Sequence, residues 1–273
     1  MANDGISTVV RGVRYDGQVV EDPVALEFPI NIYLNDKHFV TVFATPHELK
    51  EMIVGHLLGL GIVEKIEQVE DVVVDGLDVL AYLNVDETEL ARRLEKHKEF
   101  KLILTSCGSV EDYIRAFDNL HKPRVVSDLR ISLQTLRSVI TEFGKLSKHT
   151  VSVHTAGIYS DVEGKVLGFS EDVSRHVTVD KIIGKMALRN IDFSRCILMT
   201  TGRQASDMVL KAARVGIPIT VSLRGPIFSG LYAALKSGVT MVSLVRGKGL
   251  TIYSHPERIM YSLSADHLLS PVS

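Results

Sequence analysis

The chain has 273 residues, 45% of them hydrophobic and 23% charged, with 20 glycines, 8 prolines and a formal net charge of -2. That is an ordinary globular composition with room for two modest cores, and it excludes a fibrous repeat or a disordered chain. The near-neutral balance provides no global basic field for nucleic acid or an anionic membrane, although local basic clusters can still bind phosphate.

Two cysteines, Cys107 and Cys196, cannot form a disulfide framework. The first 15 residues carry Asp4, Arg11 and Arg14 and lack the apolar run of a signal peptide. The greasiest stretch, 52–63, is broken by His56 and three glycines. It falls short of the roughly 20 apolar residues that a spanning helix needs. The expectation is a cytoplasmic protein with no membrane or nucleic-acid partner.

Along the chain, 24–28, 31–34 and 39–43 read as short strands, with Asn35-Asp36-Lys37 as a hairpin turn. Thr45-Pro46 looks like a helix start, Leu49, Met52, Ile53, Leu57 and Leu60 recur at helical spacing, and Gly61 is the stop. Strands follow at 72–74 and 79–83, then a charged helix over 87–98 and a buried strand over 100–104. Thr105-Ser106-Cys107-Gly108-Ser109 ends it as a loop. This half is α+β, and a domain boundary is expected at His121-Lys122-Pro123. The division is therefore 1–122 and 123–273.

The second half opens with Ser132 capping an amphipathic helix that carries Leu133, Leu136, Val139, Ile140, Phe143 and Leu146 on one face. Residues 154–159 read either as a helix start or a strand end, and Glu163-Gly164-Lys165 as a tight turn. Helices are expected over 179–187, 205–215 and 228–236, alternating with strands over 196–200, 217–222, 239–245 and 250–253. The alternation predicts an α/β domain with a largely parallel sheet covered on both faces.

Ligands of such sheets bind beyond the strands' carboxyl ends, where helices begin. Three of these turns carry glycine beside a basic residue: Thr201-Gly202-Arg203, Leu223-Arg224-Gly225-Pro226 and Arg246-Gly247-Lys248-Gly249. Glycine lets a backbone approach closely, free helical N–H groups favour anions, and arginine or lysine adds charge. The turns read either as a phosphate cradle or as solvated connections. Neither G-x-x-x-x-G-K-[ST] nor G-x-G-x-x-G is present.

Cys107, after an apolar run and flanked by serine and glycine, reads either as a reachable, reactive thiol or as an incidental loop cysteine. Cys196, inside an apolar strand, reads as a small buried hydrophobe. His154 precedes Thr155-Ala156, so Ala156 stands where a zinc deaminase has its glutamate. No C-x-x-C follows, which leaves no metal site. His176, in Ser170-Glu171-Asp172-Val173-Ser174-Arg175-His176, reads equally as part of a helix cap or as a ligand contact.

From about residue 21 to 259 the sequence resembles the FdhD/NarQ formate dehydrogenase accessory family. The matching blocks are Glu21-Asp22-Pro23-Val24-Ala25-Leu26, Ala44-Thr45-Pro46 with Glu48-Leu49 and Gly55, and Ser106-Cys107-Gly108. They continue with Ser170-Glu171-Asp172-Val173 and Arg175-His176 before Asp180-Lys181, then Gly202-Arg203 with Met208-Val209 and Lys211-Ala212-Ala213. The last is Arg246-Gly247 with Tyr253 and His255-Pro256-Glu257-Arg258.

The resemblance implies a dimeric sulfurtransferase. Cys107 would accept persulfide sulfur from a cysteine desulfurase and pass it to the bis-molybdopterin guanine dinucleotide molybdenum cofactor of formate dehydrogenase. The family's cofactor-binding segment falls on Leu244, Val245, Arg246, Gly247, Lys248 and Gly249. Arg203 and Lys248 are expected on phosphate, with Arg224 beside them. His154 and His176 would orient the cofactor or the persulfide, and Asp172, Arg175 and Gly202 would complete the site. The family's C-terminal domain resembles the cytidine deaminase fold without its zinc site. Many members carry C-x-x-C where this chain has Val110 in the second cysteine's place. That departure keeps open a reading as a non-catalytic cofactor-binding chaperone.

Overall fold

The computed structural model describes residues 5–105, 123–146, 152–245 and 249–261, with backbone only at 97–105 and at Val245. An N-terminal hairpin, β1 (Ser7–Val13) and β2 (Val19–Ala25), forms its own two-stranded sheet. It leaves Val9, Val10, Val13 and Tyr15 exposed. A four-stranded sheet follows in the order β4-β3-β6-β5, built from β3 (Phe28–Leu34), β4 (Lys37–Ala44), β5 (Val69–Asp75) and β6 (Asp78–Leu83). The β3–β4 turn forms because Asn35 and Asp36 accept left-handed backbone (φ 45° and 64°), which two-residue hairpin loops require.

Helix α1 (Leu49–Leu60) ends at Gly61, which adopts φ 72° and caps it. The expected Thr45-Pro46 start is displaced by three residues. Thr45 is instead held by the second half of the chain, its N–H donating to Asp172 at 3.0 Å and its Oγ1 accepting from Val173 N. Helix α2 (Glu87–Thr105) is longer than expected and absorbs the predicted strand at 100–104. With no glycine or proline between 87 and 105, the short segment 100–104, apolar except for Lys101, extends the helix as readily as it forms a strand.

The second half holds α3 (Leu133–Leu146), capped as expected by Ser132 Oγ, which accepts from Thr135 N at 3.0 Å. A two-stranded parallel pairing of β7 (Ile131–Ser132) with β14 (Ile259–Met260) lies at its start. The main sheet runs β13-β12-β11-β10-β8-β9, from β8 (His154–Ser160), β9 (Lys165–Asp172), β10 (Cys196–Thr200), β11 (Ile219–Ser222), β12 (Thr240–Val245) and β13 (Gly249–Ile252). Only β10, β11 and β12 run parallel. On one side β8 pairs antiparallel with β10 and with β9, and on the other β13 pairs antiparallel with β12, so the sheet is mixed rather than largely parallel.

Both faces are covered. Alternation along β10 sends Ile197 and Met199 to the α3 side, with Phe143, Val221 and Val242, and Cys196 and Leu198 to the other. That other side carries α4 (Arg175–Ala187), α5 (Ser206–Arg214) and α6 (Phe228–Ser237). One core continues from there through α1 into the four-stranded sheet. The helices α1 and α4 meet backbone to backbone. A Cβ at Gly55 would overlap the Asp180 carbonyl, and one at Gly184 the Glu51 carbonyl. The boundary expected at residues 121–123 lies largely outside the described residues.

Candidate functional site at the strand ends

The carboxyl ends of β9, β10, β11 and β12 and the start of β8 share one edge of the sheet, where α4, α5 and α6 begin. Backbone bonds stitch the turns together: Thr201 N donates to Thr155 O at 2.9 Å and Leu223 N to Thr200 O at 3.0 Å. Three helix N-termini therefore face one region, each with the positive end of its dipole.

The structure gathers His154, Arg175, His176 and Arg224 there. His154 is half-buried, and burial first, then the charges of Arg175, Arg224 and His176, hold its pKa below the ordinary histidine value. Gly202 lets Arg175 approach closely, since a Cβ there would press on the Arg175 side chain, 3.0 Å from its Cβ. The Arg175 Nε is buried with no hydrogen-bond partner among the described residues. Arg203 and Arg224 are exposed on neighbouring turns, and Arg224 N donates to Ser222 Oγ at 2.9 Å. Two guanidiniums and two imidazoles gathered in this way favour an anion with several oxygens.

The remaining expected residues divide differently. Asp172 is fully buried: it pairs with Lys181 Nζ at 2.6 Å and accepts from Thr45 N and Ser174 N. It joins the two halves of the chain, with its carboxylate closed off from solvent. Burial raises its pKa and lowers that of Lys181 against their mutual attraction. His176 leans toward Asp207, Nε2 to Oδ2 at 2.9 Å. Leu244 is half-buried on β12, Val245 ends that strand and Gly249 opens β13 with φ 76°. Cys107, Arg246, Gly247 and Lys248 lie outside the described residues. Cys196 is completely buried, its Sγ donates to Asp192 O at 3.3 Å, and burial pushes its pKa up to about 12.

A feature the sequence reading missed adjoins this edge. A cavity of about 840 Å³ lies between α2 and the β3–β4 surface, and His56, His176, Asp207 and Lys211 are among the residues lining it. Beneath it Asp180, fully buried, takes His56 Nδ1 at 2.8 Å and Lys211 Nζ at 2.7 Å. Burial works to raise the Asp180 pKa, but Lys211 and His56 outweigh it and hold it low. The only sequence signal was a histidine interrupting an apolar helix face. Among the described residues no group of three or more His, Cys, Asp or Glu could hold a metal. No described helix is long and apolar enough to cross a membrane.

A mixed α/β protein with a cationic edge at its strand ends is thus defined. The model of the FdhD/NarQ family matches residues 25–260, and the chain belongs to that family. It is 28% identical to the sulfur carrier protein FdhD of Bacillus subtilis, over 94% of this chain and 99% of that one. It is 30% identical to that of Methanothermobacter thermautotrophicus, over 88% and 93%. The crystal structure of a formate dehydrogenase accessory protein from Desulfotalea psychrophila superimposes with a TM-score of 0.72 at 28% identity, covering 93% of this chain and all of that one.

Proposed function

We propose that the chain is a cytoplasmic sulfurtransferase that carries sulfur on Cys107 for the bis-molybdopterin guanine dinucleotide cofactor of formate dehydrogenase. The observation that carries the choice of residue concerns the other cysteine. Of the two thiols, Cys196 is sealed in β10 and held protonated far above neutrality, so it cannot supply a thiolate. Names of the relatives, sulfur carrier and formate dehydrogenase accessory protein, agree with the reading.

In the first step the Cys107 thiolate attacks the outer sulfur of a cysteine desulfurase persulfide. An S–S bond forms to Cys107, the donor's S–S bond breaks, and the donor cysteine leaves as thiolate. The cofactor is substrate here. Its phosphates would lie against Arg175, Arg203 and Arg224 at the helix N-termini, and the Arg175 Nε, without a hydrogen-bond partner among the described residues, suits such an anion. Neutral His154 would orient it. The segment 244–249 completes the site in this reading. A likeness of the second half to the cytidine deaminase fold, with Ala156 buried in the glutamate's place, and a homodimer belong to the same proposal.

Val110, in the place of a second cysteine, favours the alternative of a binding chaperone without sulfur chemistry. Incubation with a cysteine desulfurase and cysteine, followed by intact mass measurement, separates the two. One reductant-labile sulfur on wild type and on Cys196→Ala, and none on Cys107→Ala, is expected. Equal uptake by wild type and Cys107→Ala would sink the carrier reading.

A further inference from the structure

Thr200 and Ser222 end β10 and β11 and are partners across the parallel pairing of these strands. Each hydroxyl holds the turn that follows it. Thr200 Oγ1 accepts from Gly202 N at 3.0 Å, and Ser222 Oγ accepts from Arg224 N at 2.9 Å. Backbone pairing continues one residue past β11, with Leu223 N donating to Thr200 O. Beyond that rung the Ser222 hydroxyl carries the link, donating across to Gly202 O at 2.7 Å. Ser222 is completely buried.

Both ends of this link lead to an arginine of the candidate site. On one side the bonded N–H belongs to Arg224 itself. On the other, Gly202 is the residue against which Arg175 packs, since a Cβ there would lie 3.0 Å from Arg175 Cβ and 3.5 Å from its Cδ. The two arginines enter from different elements, Arg175 at the start of α4 and Arg224 after β11. Their charges meet at His154, whose pKa both help to hold down. A site for a multiply charged anion works only if such charges are held at fixed spacing by groups that are themselves locked.

We propose that Ser222 is a positioning residue that fixes the Gly202 and Arg224 turns against each other, and with them Arg175 and Arg224, for a phosphate-bearing ligand. It acts through two backbone groups and does not touch the ligand. The proposal rests on reading the strand ends as a phosphate site, and its test has an arm that does not depend on that reading.

Ser222→Ala removes both hydrogen bonds, and Ser222→Thr keeps the hydroxyl. In the unliganded protein the NMR titration of the His154 ring reports how closely the two arginines are held. Its midpoint is expected to rise toward the ordinary histidine value in Ser222→Ala and to stay at the wild-type value in Ser222→Thr. An unchanged midpoint in Ser222→Ala overturns the proposal, because a hydroxyl that merely stabilises the fold would leave it in place.

Inorganic pyrophosphate is the ligand probe. Its affinity by calorimetry is expected to fall about tenfold in Ser222→Ala and to return to within about twofold of wild type in Ser222→Thr. If the added methyl disturbs the fold, Ser222→Cys takes its place. Its thiol is a weak donor and acceptor, so its affinity should fall between wild type and Ser222→Ala. Equal affinity in Ser222→Ala and wild type overturns the ligand part. Wild type that binds no pyrophosphate refutes the phosphate site itself, while the His154 titration still decides what Ser222 does.

Discussion

The stretch from Ser170 to Lys181 supplies two neighbouring regions of opposite character. In the interior, Asp172 meets Lys181, and Asp180 meets Lys211 and His56, so both of these carboxylates have a cation within 3 Å. At the strand ends, Arg175 from the same stretch joins His154 and Arg224, and Asp207, on His176, is the nearby carboxylate the structure pairs with this group. The difference follows from solvent. A charge removed from water must be paired on the spot, whereas a charge at the rim can stay uncompensated until an anion arrives. The buried Asp172 and Asp180 join the two halves of the chain through Thr45 and His56, and Arg175 and Arg224 at the rim belong to its candidate site.

Breaking the interior should have the largest effect. Lys181→Met strands the Asp172 carboxylate and should cost about 3–5 kcal/mol in denaturant unfolding. Adding Asp172→Asn should recover much of it, and no recovery would mean that the pair does not act as a unit. Next comes the backbone contact between α1 and α4. Gly55→Ala forces a methyl into the Asp180 carbonyl and should cost about 3 kcal/mol. A thermal midpoint unchanged from wild type would show that the helices do not touch.

The rim should behave in the reverse manner, losing ligand affinity and little stability. Arg175→Ala is expected to weaken guanosine diphosphate binding about tenfold by calorimetry, with unfolding shifted by less than about 1 kcal/mol. A large stability loss would move Arg175 to the interior group.

The smallest effect concerns His154. Its folded pKa lies below its unfolded value because burial and nearby cations disfavour the charged ring. The unfolded chain thus binds the proton more readily, and the stability His154 contributes is complete above the ordinary histidine pKa. It is lost as pH falls through that value toward the lower folded pKa. The ring's NMR titration should show a midpoint below 6.5 that rises when phosphate or guanosine diphosphate binds. A midpoint indifferent to both would remove His154 from the anion site.

Sequence alone settled the local features: the Asn35-Asp36 turn, the Ser132 cap with its amphipathic helix, the Gly61 stop and the alternation of strands and helices after residue 154. Each of these depends on residues a few positions apart, so spacing is enough to read them. The tertiary structure alone decided which strands pair antiparallel, whether 100–104 extends a helix, why Asp172 is buried rather than offered to a ligand, and what His56 meets. His56 and Asp180 are 124 positions apart, and Thr45 and Asp172 are 127. Nothing in the local sequence encodes such partners. They are selected when the two sheets close on one core and buried charges such as Asp172 and Asp180 must meet cations there.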